Sequence, residues 1–213
     1  MDLMLEVIIM EAIVLAAGYS SRANAFKMTL PLGQMSVLEH TISKFEEICS
    51  KIIVVAGYQA ETIQEEINKI NDKKAYTFQI KLVYNEDFNL GMFSSIQKGC
   101  TELEAPAFFI TPGDCPLVNK KTLQLLADQD GNVVIPSFKF KGGHPIKLSK
   151  QVSHKILATN HESNLRDVLN GYDKSYFTVD DPGILMDVDT PEDYQKAFSY
   201  YIQYYGDSSH GPI

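Results

Sequence analysis

Two stretches of this chain, Ala12-Ile13-Val14-Leu15-Ala16-Ala17 and Lys51-Ile52-Ile53-Val54-Val55-Ala56, are apolar at nearly every consecutive position, and each runs into a glycine, Gly18 and Gly57. A strand with one wet face alternates polar and apolar residues. A run that is apolar at odd and even positions alike must be covered on both faces. That requirement points to a mostly parallel sheet with helices on either side, and the intervening residues supply the helices. Val37, Leu38, Ile42 and Phe45 recur at helical spacing, and Ile63, Ile67 and Ile70 mark the apolar face of an amphipathic helix from Ala60 to Ile70.

The alternation continues along the chain. Phe78 to Tyr84 reads as a strand, Met92 to Leu103 as a helix entered through Gly91, and Ala107-Phe108-Phe109-Ile110 as a third buried strand, closed by Thr111-Pro112-Gly113. Asn119 suits the N-cap of a helix through Ala127. Val133-Val134-Ile135 forms a fourth strand, and Phe138 to Leu148 contains a turn at Gly142-Gly143. Helical segments at about 150–158 and 164–170 precede a strand-like stretch from Tyr176 to Val188, broken by Asp180-Asp181-Pro182-Gly183. The last helix starts at Thr190, with Pro191 at its first position. This order predicts a single-domain, three-layer, Rossmann-like α/β fold with a mostly parallel mixed sheet. Such sheets bind ligands beyond the carboxyl ends of their strands, so the chemistry is expected just after Ala17, Ala56, Tyr84 and Ile110.

Composition narrows what that site can take. With 19 Lys+Arg against 27 Asp+Glu, the 213 residues carry a net charge of −8. The acidic balance argues against broad contact with nucleic acid or an anionic membrane, but a small anionic ligand needs only two or three local cations. Cys49, Cys100 and Cys115 are an odd number without CxxC spacing, so no disulfide framework or structural zinc is expected and a reducing compartment is. The most apolar run, Val7 to Ala17, is interrupted by Glu11 and falls short of the ~18 residues that a membrane span needs. Asp2 and Glu6 stand where a secretory signal carries cations. These features read as a cytoplasmic protein, with residues 1–10 an N-terminal extension, 11–206 one domain and 207–213 a tail.

The sharpest chemical feature follows the first strand. Leu15-Ala16-Ala17-Gly18-Tyr19-Ser20-Ser21-Arg22 continues to Lys27 and Leu30-Pro31-Leu32-Gly33. Backbone N–H groups of such a loop can cradle phosphate oxygens, with Arg22 and Lys27 neutralising them. It is neither a Walker A loop nor a GxGxxG turn, and a plain connector with two solvated cations is the competing reading.

The loop closely resembles the opening motif LAAGxSxRMGxxK of nucleotidyltransferases of the glycosyltransferase-A-like fold, most of all the molybdenum cofactor cytidylyltransferases and their guanylyl relatives. Four further segments are similar to that family in the same order: Asn85 to Ile96 with its Gly91-Met92 and Ser94-Ser95, Asp114-Cys115-Pro116-Leu117, Gly143-His144-Pro145, and Asp187-Val188-Asp189-Thr190-Pro191-Glu192-Asp193. Where the family has Met-Gly between arginine and lysine, this chain has Ala23-Asn24.

The resemblance implies transfer of CMP from CTP (or of GMP from GTP) to a phosphorylated acceptor of molybdopterin-cofactor type, with release of pyrophosphate. It implies Arg22, Lys27 and Asp114 as catalytic groups, and nucleotide contacts from Leu15, Ala16, Ala17, Gly18, Ser20, Ser21, Gly57, Asn85, Gly91 and Ser95. It also implies Mg²⁺ on Asp114 and Asp189, with Asp187 as their neighbour, and His144 on the acceptor side. Hard carboxylate oxygens suit that ion, which needs only one or two protein carboxylates when phosphates supply the rest. Local explanations stand beside several of these: Asp187 and Asp189 as helix N-terminal charge, His144 as a turn residue, Ser94 and Ser95 as helix caps. Two other functions stay open on the same residues. One is a sugar- or alditol-phosphate nucleotidyltransferase of the same fold. The other is a non-catalytic accessory protein that hands the cofactor to a molybdenum hydroxylase. The Cβ of Ala17, where guanylyl members carry glycine, predicts a preference for the one-ring base.

Overall fold

The computed structural model describes residues 10–18, 26–73 and 75–206. Strand β1 (Met10–Ala16) lies between β4 (Cys49–Ala56) and β6 (Ala107–Pro112), parallel to both, and β5 (Gln79–Tyr84) extends the parallel set beyond β4. On the other side, β9 (Ile146–Ser149) runs antiparallel to β6 and to β7 (Val133–Phe138), and β10 (Lys174–Thr178) pairs parallel with β7. Two-residue β8 (Lys141–Gly142) folds back on β7, and β2 (Pro31–Leu32) with β3 (Met35–Ser36) makes a separate small hairpin. The mixed, mostly parallel sheet is the architecture that the continuous apolar runs demand.

Alternate residues of the central strands divide between two cores. Ala12, Val14, Ile52 and Val54 face α1 (Val37–Ser43), α2 (Ala60–Lys73) and α4 (Lys120–Ala127), where Leu38, Ile42, Ile63, Ile67, Ile70, Leu123 and Leu126 meet them. Ile13, Leu15, Ile53 and Val55 face the opposite layer, built from α3 (Met92–Cys100), α5 (Lys150–Leu157) and α6 (Leu165–Leu169), through Phe93, Ile96, Val152 and Ile156. Each fully buried side chain of this size contributes about 1.5–3 kcal/mol, so the two layers hold the strand ends in place. Helix α7 (Pro191–Tyr205) packs outside them, its Tyr194, Ala197 and Tyr201 against Leu32 and Val37. No helix among the described residues is long and apolar enough to cross a membrane.

At the amino ends of the strands, Glu11 and Lys51 are register partners on β1 and β4. Lys51 Nζ lies 2.8 Å from Glu11 Oε1, donates to the Glu102 carbonyl at 2.9 Å and reaches Glu104 Oε1 at 3.2 Å. The other Glu11 oxygen accepts from the backbone N–H groups of Glu104 (2.7 Å) and Ala105 (3.1 Å).

Two expectations are corrected. The chain reverses between β7 and β8 at Lys139 and Phe140, with φ of 48° and 66°, and not at Gly142-Gly143. Two successive positive-φ residues give the twist that a tight hairpin needs, here without the usual Asn-Gly. Gly143 serves close approach instead, because a Cβ there would collide with the Ile184 backbone carbonyl. The strand-like stretch expected over Tyr176 to Val188 does break at Asp180 to Gly183, but only its first part is a strand, β10, and Pro182–Leu185 is a 3₁₀ turn. Asp181 causes the break, its carboxylate accepting from Gly183 N (2.9 Å), Asn119 N (2.8 Å) and Thr122 Oγ1 (2.7 Å).

Candidate active site

The carboxyl ends of β1 and β6 open onto a cleft of about 380 Å³, lined by Leu15, Ala17, Gly18, Lys27, Met28, Phe88, Asn89, Gly91, Met92, Ser95, Pro112 and Asp114. Its floor is stitched by backbone hydrogen bonds, Gly113 N to Leu15 O at 2.9 Å and Tyr58 N to Ala17 O at 3.2 Å. These bonds bring the ends of β1, β4 and β6 together, where a doubly wound sheet places its ligands.

One wall is the segment between β5 and α3. Asn85 is buried and its amide donates to the hydroxyls of Ser94 and Ser95, each at 2.9 Å, while its Oδ1 accepts from Asp87 N at 3.1 Å. Ser94 Oγ in turn lies 2.8 Å from the carbonyl oxygens of both Asp87 and Gly91. Satisfied buried networks of this kind fix one conformation, because breaking any member strands the others. The wall therefore presents Phe88, Asn89 and Met92 to the cleft in a set position. Gly57 lies behind it: a Cβ there would come within 2.5 Å of Phe88 Cβ and 3.0 Å of Ala17 Cβ.

Opposite this wall the charges gather. Lys27 opens a 3₁₀ turn (Lys27–Thr29) anchored by the buried Met28, and its ammonium contacts Asp114 Oδ2 and lies 2.8 Å from Asp189 Oδ1. Asp114 follows β6 and is 5% exposed, whereas the Asp189 side chain is 44% exposed at the cleft rim. A bond from Val188 N to Asp114 O, 3.0 Å, holds the two acidic segments side by side. Burial works against the Lys27 ammonium, but the Asp114 and Asp189 carboxylates outweigh it and raise its pKa above the usual lysine value. Asp187 is pushed toward its neutral form, because partial burial and then the charges of Asp189, Asp114 and Asp193 raise the pKa of its carboxyl. Two carboxylates thus meet one ammonium, with Asp187 electrostatically coupled to both, a place that favours additional positive charge.

His144 completes the cluster. Its backbone N–H donates to Ile184 O at 2.9 Å, and its Nδ1 is buried without a hydrogen-bond partner among the described residues. Burial lowers its pKa against the opposing pull of Asp114, Asp187 and a hydrogen bond to the Ile110 backbone, and so favours the neutral ring. Burial pushes the Cys115 thiol well above its ordinary value, which removes it as a nucleophile.

The structure brings Leu15, Ala17, Gly18, Lys27, Gly91, Ser95 and Asp114 together in one cleft, with Asp189 on Lys27. Ala16 points into the sheet core, Gly57 sits behind Phe88, and Asn85 lies beneath the wall, so these three shape the cleft without lining it. Ser20, Ser21 and Arg22, with the Ala23-Asn24 departure, lie outside the described residues. Met28, Phe88, Asn89, Met92 and Pro112 also line the cleft; Phe88, Asn89 and Met92 fall within the family-like segment Asn85 to Ile96, but none of the five was expected as a contact. The one hint was Gly57, a glycine at a strand end where a bulky neighbour needs room.

Among the described residues, no three His, Cys, Asp or Glu side chains form a ready metal cage. A hard cation would rest on Asp114 and Asp189 and take its other oxygens from a ligand. The convergence of both carboxylates on the Lys27 ammonium shows that they can share one cation.

Comparison with known proteins gives the family and the fold. Residues 12–176 match the MobA-like NTP transferase domain. The chain is 27% identical over 194 residues to the molybdenum cofactor cytidylyltransferase of Escherichia coli (strain K12), covering 91% of this chain and 97% of that protein. Among solved structures, a nucleotidyl transferase from Methanothermobacter superposes with a TM-score of 0.78 at 20% identity, covering 92% of this chain and 98% of that one. A manganese complex of a protein from Mycobacterium tuberculosis H37Rv superposes with a TM-score of 0.69 at 19% identity, covering 89% and 98%.

Proposed function

Because the chain belongs to the MobA-like NTP transferase family and is a nucleotidyltransferase, we propose that it transfers CMP from CTP to a phosphorylated acceptor of molybdopterin-cofactor type, with Mg²⁺ and release of pyrophosphate. The observation that carries this reading is the meeting of Lys27, Asp114 and Asp189 at the mouth of the cleft that begins at Gly18. The cytidylyl assignment and the acceptor rest on the similarity to the E. coli enzyme along nearly the whole chain. The manganese complex of the M. tuberculosis protein supports the choice of a divalent cation.

In this reaction an oxygen of the acceptor phosphate attacks the α-phosphorus, and the bond to the β-phosphate oxygen breaks to release pyrophosphate. The protein has little covalent work; it aligns the two phosphates and spreads their charge. Backbone N–H groups around Gly18, with Ser20, Ser21 and Arg22, hold the triphosphate. Lys27 meets the α-phosphate as negative charge grows there. Asp114 and Asp189 hold the cation, which when bound offsets the charge of the phosphates. Phe88, Asn89 and Met92 face the base, and His144 stands on the acceptor side beside Asp114 and Asp187.

The test is pyrophosphate release with CTP or GTP, Mg²⁺ and molybdopterin cofactor. Turnover with CTP and this acceptor is expected. Turnover only with sugar or alditol phosphates would move the acceptor assignment, and cofactor binding without any turnover would make the chain a carrier protein.

A further inference from the structure

We infer that Lys27 and the divalent cation compete for one place, so that the lysine must leave Asp114 and Asp189 before the cation takes them. The inference rests on the metal site proposed above. Lys27 Nζ contacts Asp114 Oδ2 and stands 2.8 Å from Asp189 Oδ1, so the ammonium occupies the point on which both carboxylates converge. A magnesium ion needs oxygens at roughly 2.0–2.1 Å in near-octahedral array. An ion on these oxygens and an ammonium hydrogen-bonded to them would be two positive charges within about 4 Å in a partly dry cleft, which strongly disfavours both staying.

The lysine has somewhere to go. Its backbone is pinned by the 3₁₀ turn, with Thr29 N bonded to Phe26 O at 3.1 Å and Met28 buried, so the change is confined to the four-carbon side chain. That side chain lines the same cleft as Gly18, where the triphosphate is placed. Nucleotide phosphates offer the ammonium a replacement partner, and the vacated carboxylates then suit the cation. The cation is thus expected to bind weakly by itself and to enter with, or after, the nucleotide. Lys27 would serve first as the occupant of the metal position and then as a phosphate contact.

Mn²⁺ alone is the probe, titrated without nucleotide into the full chain and followed by the electron paramagnetic resonance signal of the unbound ion. The proteins are wild type, Lys27→Met, Lys27→Gln and Asp114→Asn, each with a thermal melt to establish folding. Both Lys27 variants are expected to bind Mn²⁺ about tenfold more tightly than wild type, the order of effect of removing one adjacent like charge. Asp114→Asn is expected to lose binding. If the folded Lys27 variants bind Mn²⁺ no more tightly than wild type while Asp114→Asn loses it, the competition is overturned and the metal site stands. If Asp114→Asn binds as well as wild type, the metal site itself falls, and the competition with it.

Discussion

Two lysine–carboxylate clusters stand at opposite ends of the central strands, and they are built from the same chemistry to opposite purposes. At the amino ends, Lys51 lies between Glu11 and Glu104 and donates to the Glu102 carbonyl, while the far oxygen of Glu11 accepts from two backbone N–H groups. Nothing in that cluster lacks a partner. At the carboxyl ends, Lys27 also lies between two acids, but Asp189 is open to solvent, Asp187 is crowded by like charges and His144 Nδ1 has no partner among the described residues. A lysine between two acids therefore says little by itself. Whether the remaining lone pairs are satisfied separates a fastening from a binding site.

The contrast can be broken at either end. Glu11→Ala should cost the most, about 3–5 kcal/mol of stability, because it removes the nearest carboxylate from the Lys51 ammonium, leaving it Glu104 and the Glu102 carbonyl, and strips two backbone N–H groups of their acceptor. Denaturant titration measures it, and the folded fraction should keep wild-type turnover. Asp114→Asn should do the reverse, lowering turnover by about 10²–10³-fold, the scale seen when a group that stabilises transition-state charge is removed. Its melting temperature should hold, since relief of repulsion with Asp187 and Asp189 offsets the lost contact to Lys27. A large loss of stability there with full activity would show that both clusters are fastenings. Lys27→Ala should lower turnover about 10²-fold with a smaller change in CTP affinity, because its phosphate partner gains charge in the transition state. Steady-state kinetics beside direct CTP binding separates the two. The smallest effect is expected at the strand end itself. Ala17→Gly should shift the CTP-to-GTP preference toward GTP by about tenfold, as one methyl group does in a pocket whose backbone can adjust.

Much of this arrangement was legible before any coordinates, for a local reason. The apolar runs and their terminal glycines report the burial of both sheet faces, and Asn119 and Thr190 cap their helices through bonds to Lys121 N (2.9 Å) and Asp193 N (3.1 Å) that span two or three residues. The charged residues of the cleft stood out because their motifs resemble those of a known nucleotidyltransferase family. The apolar wall did not. Phe88, Asn89 and Met92 reach the cleft only because Asn85 ties the segment to Ser94 and Ser95 and because Gly57 makes room behind it. Those are contacts across the fold, with no periodicity to announce them. The β7–β8 reversal was missed for a similar reason: Lys139 and Phe140 accept positive φ under the constraint of the paired strands, against their own preference.

The backbone crossing at Gly143 carries a consequence for how such a cleft can change over time. There the chain passes so close to the Ile184 carbonyl that no side chain fits, and the next residue, His144, bonds to that same oxygen. Contact of main chain on main chain is indifferent to which side chains flank it. Variation around the proposed acceptor side can therefore exchange one preferred molecule for another while the acids keep their positions. Directed evolution of this chain toward new acceptors should find its gains among the flanking side chains, and should find Gly143 closed to every replacement.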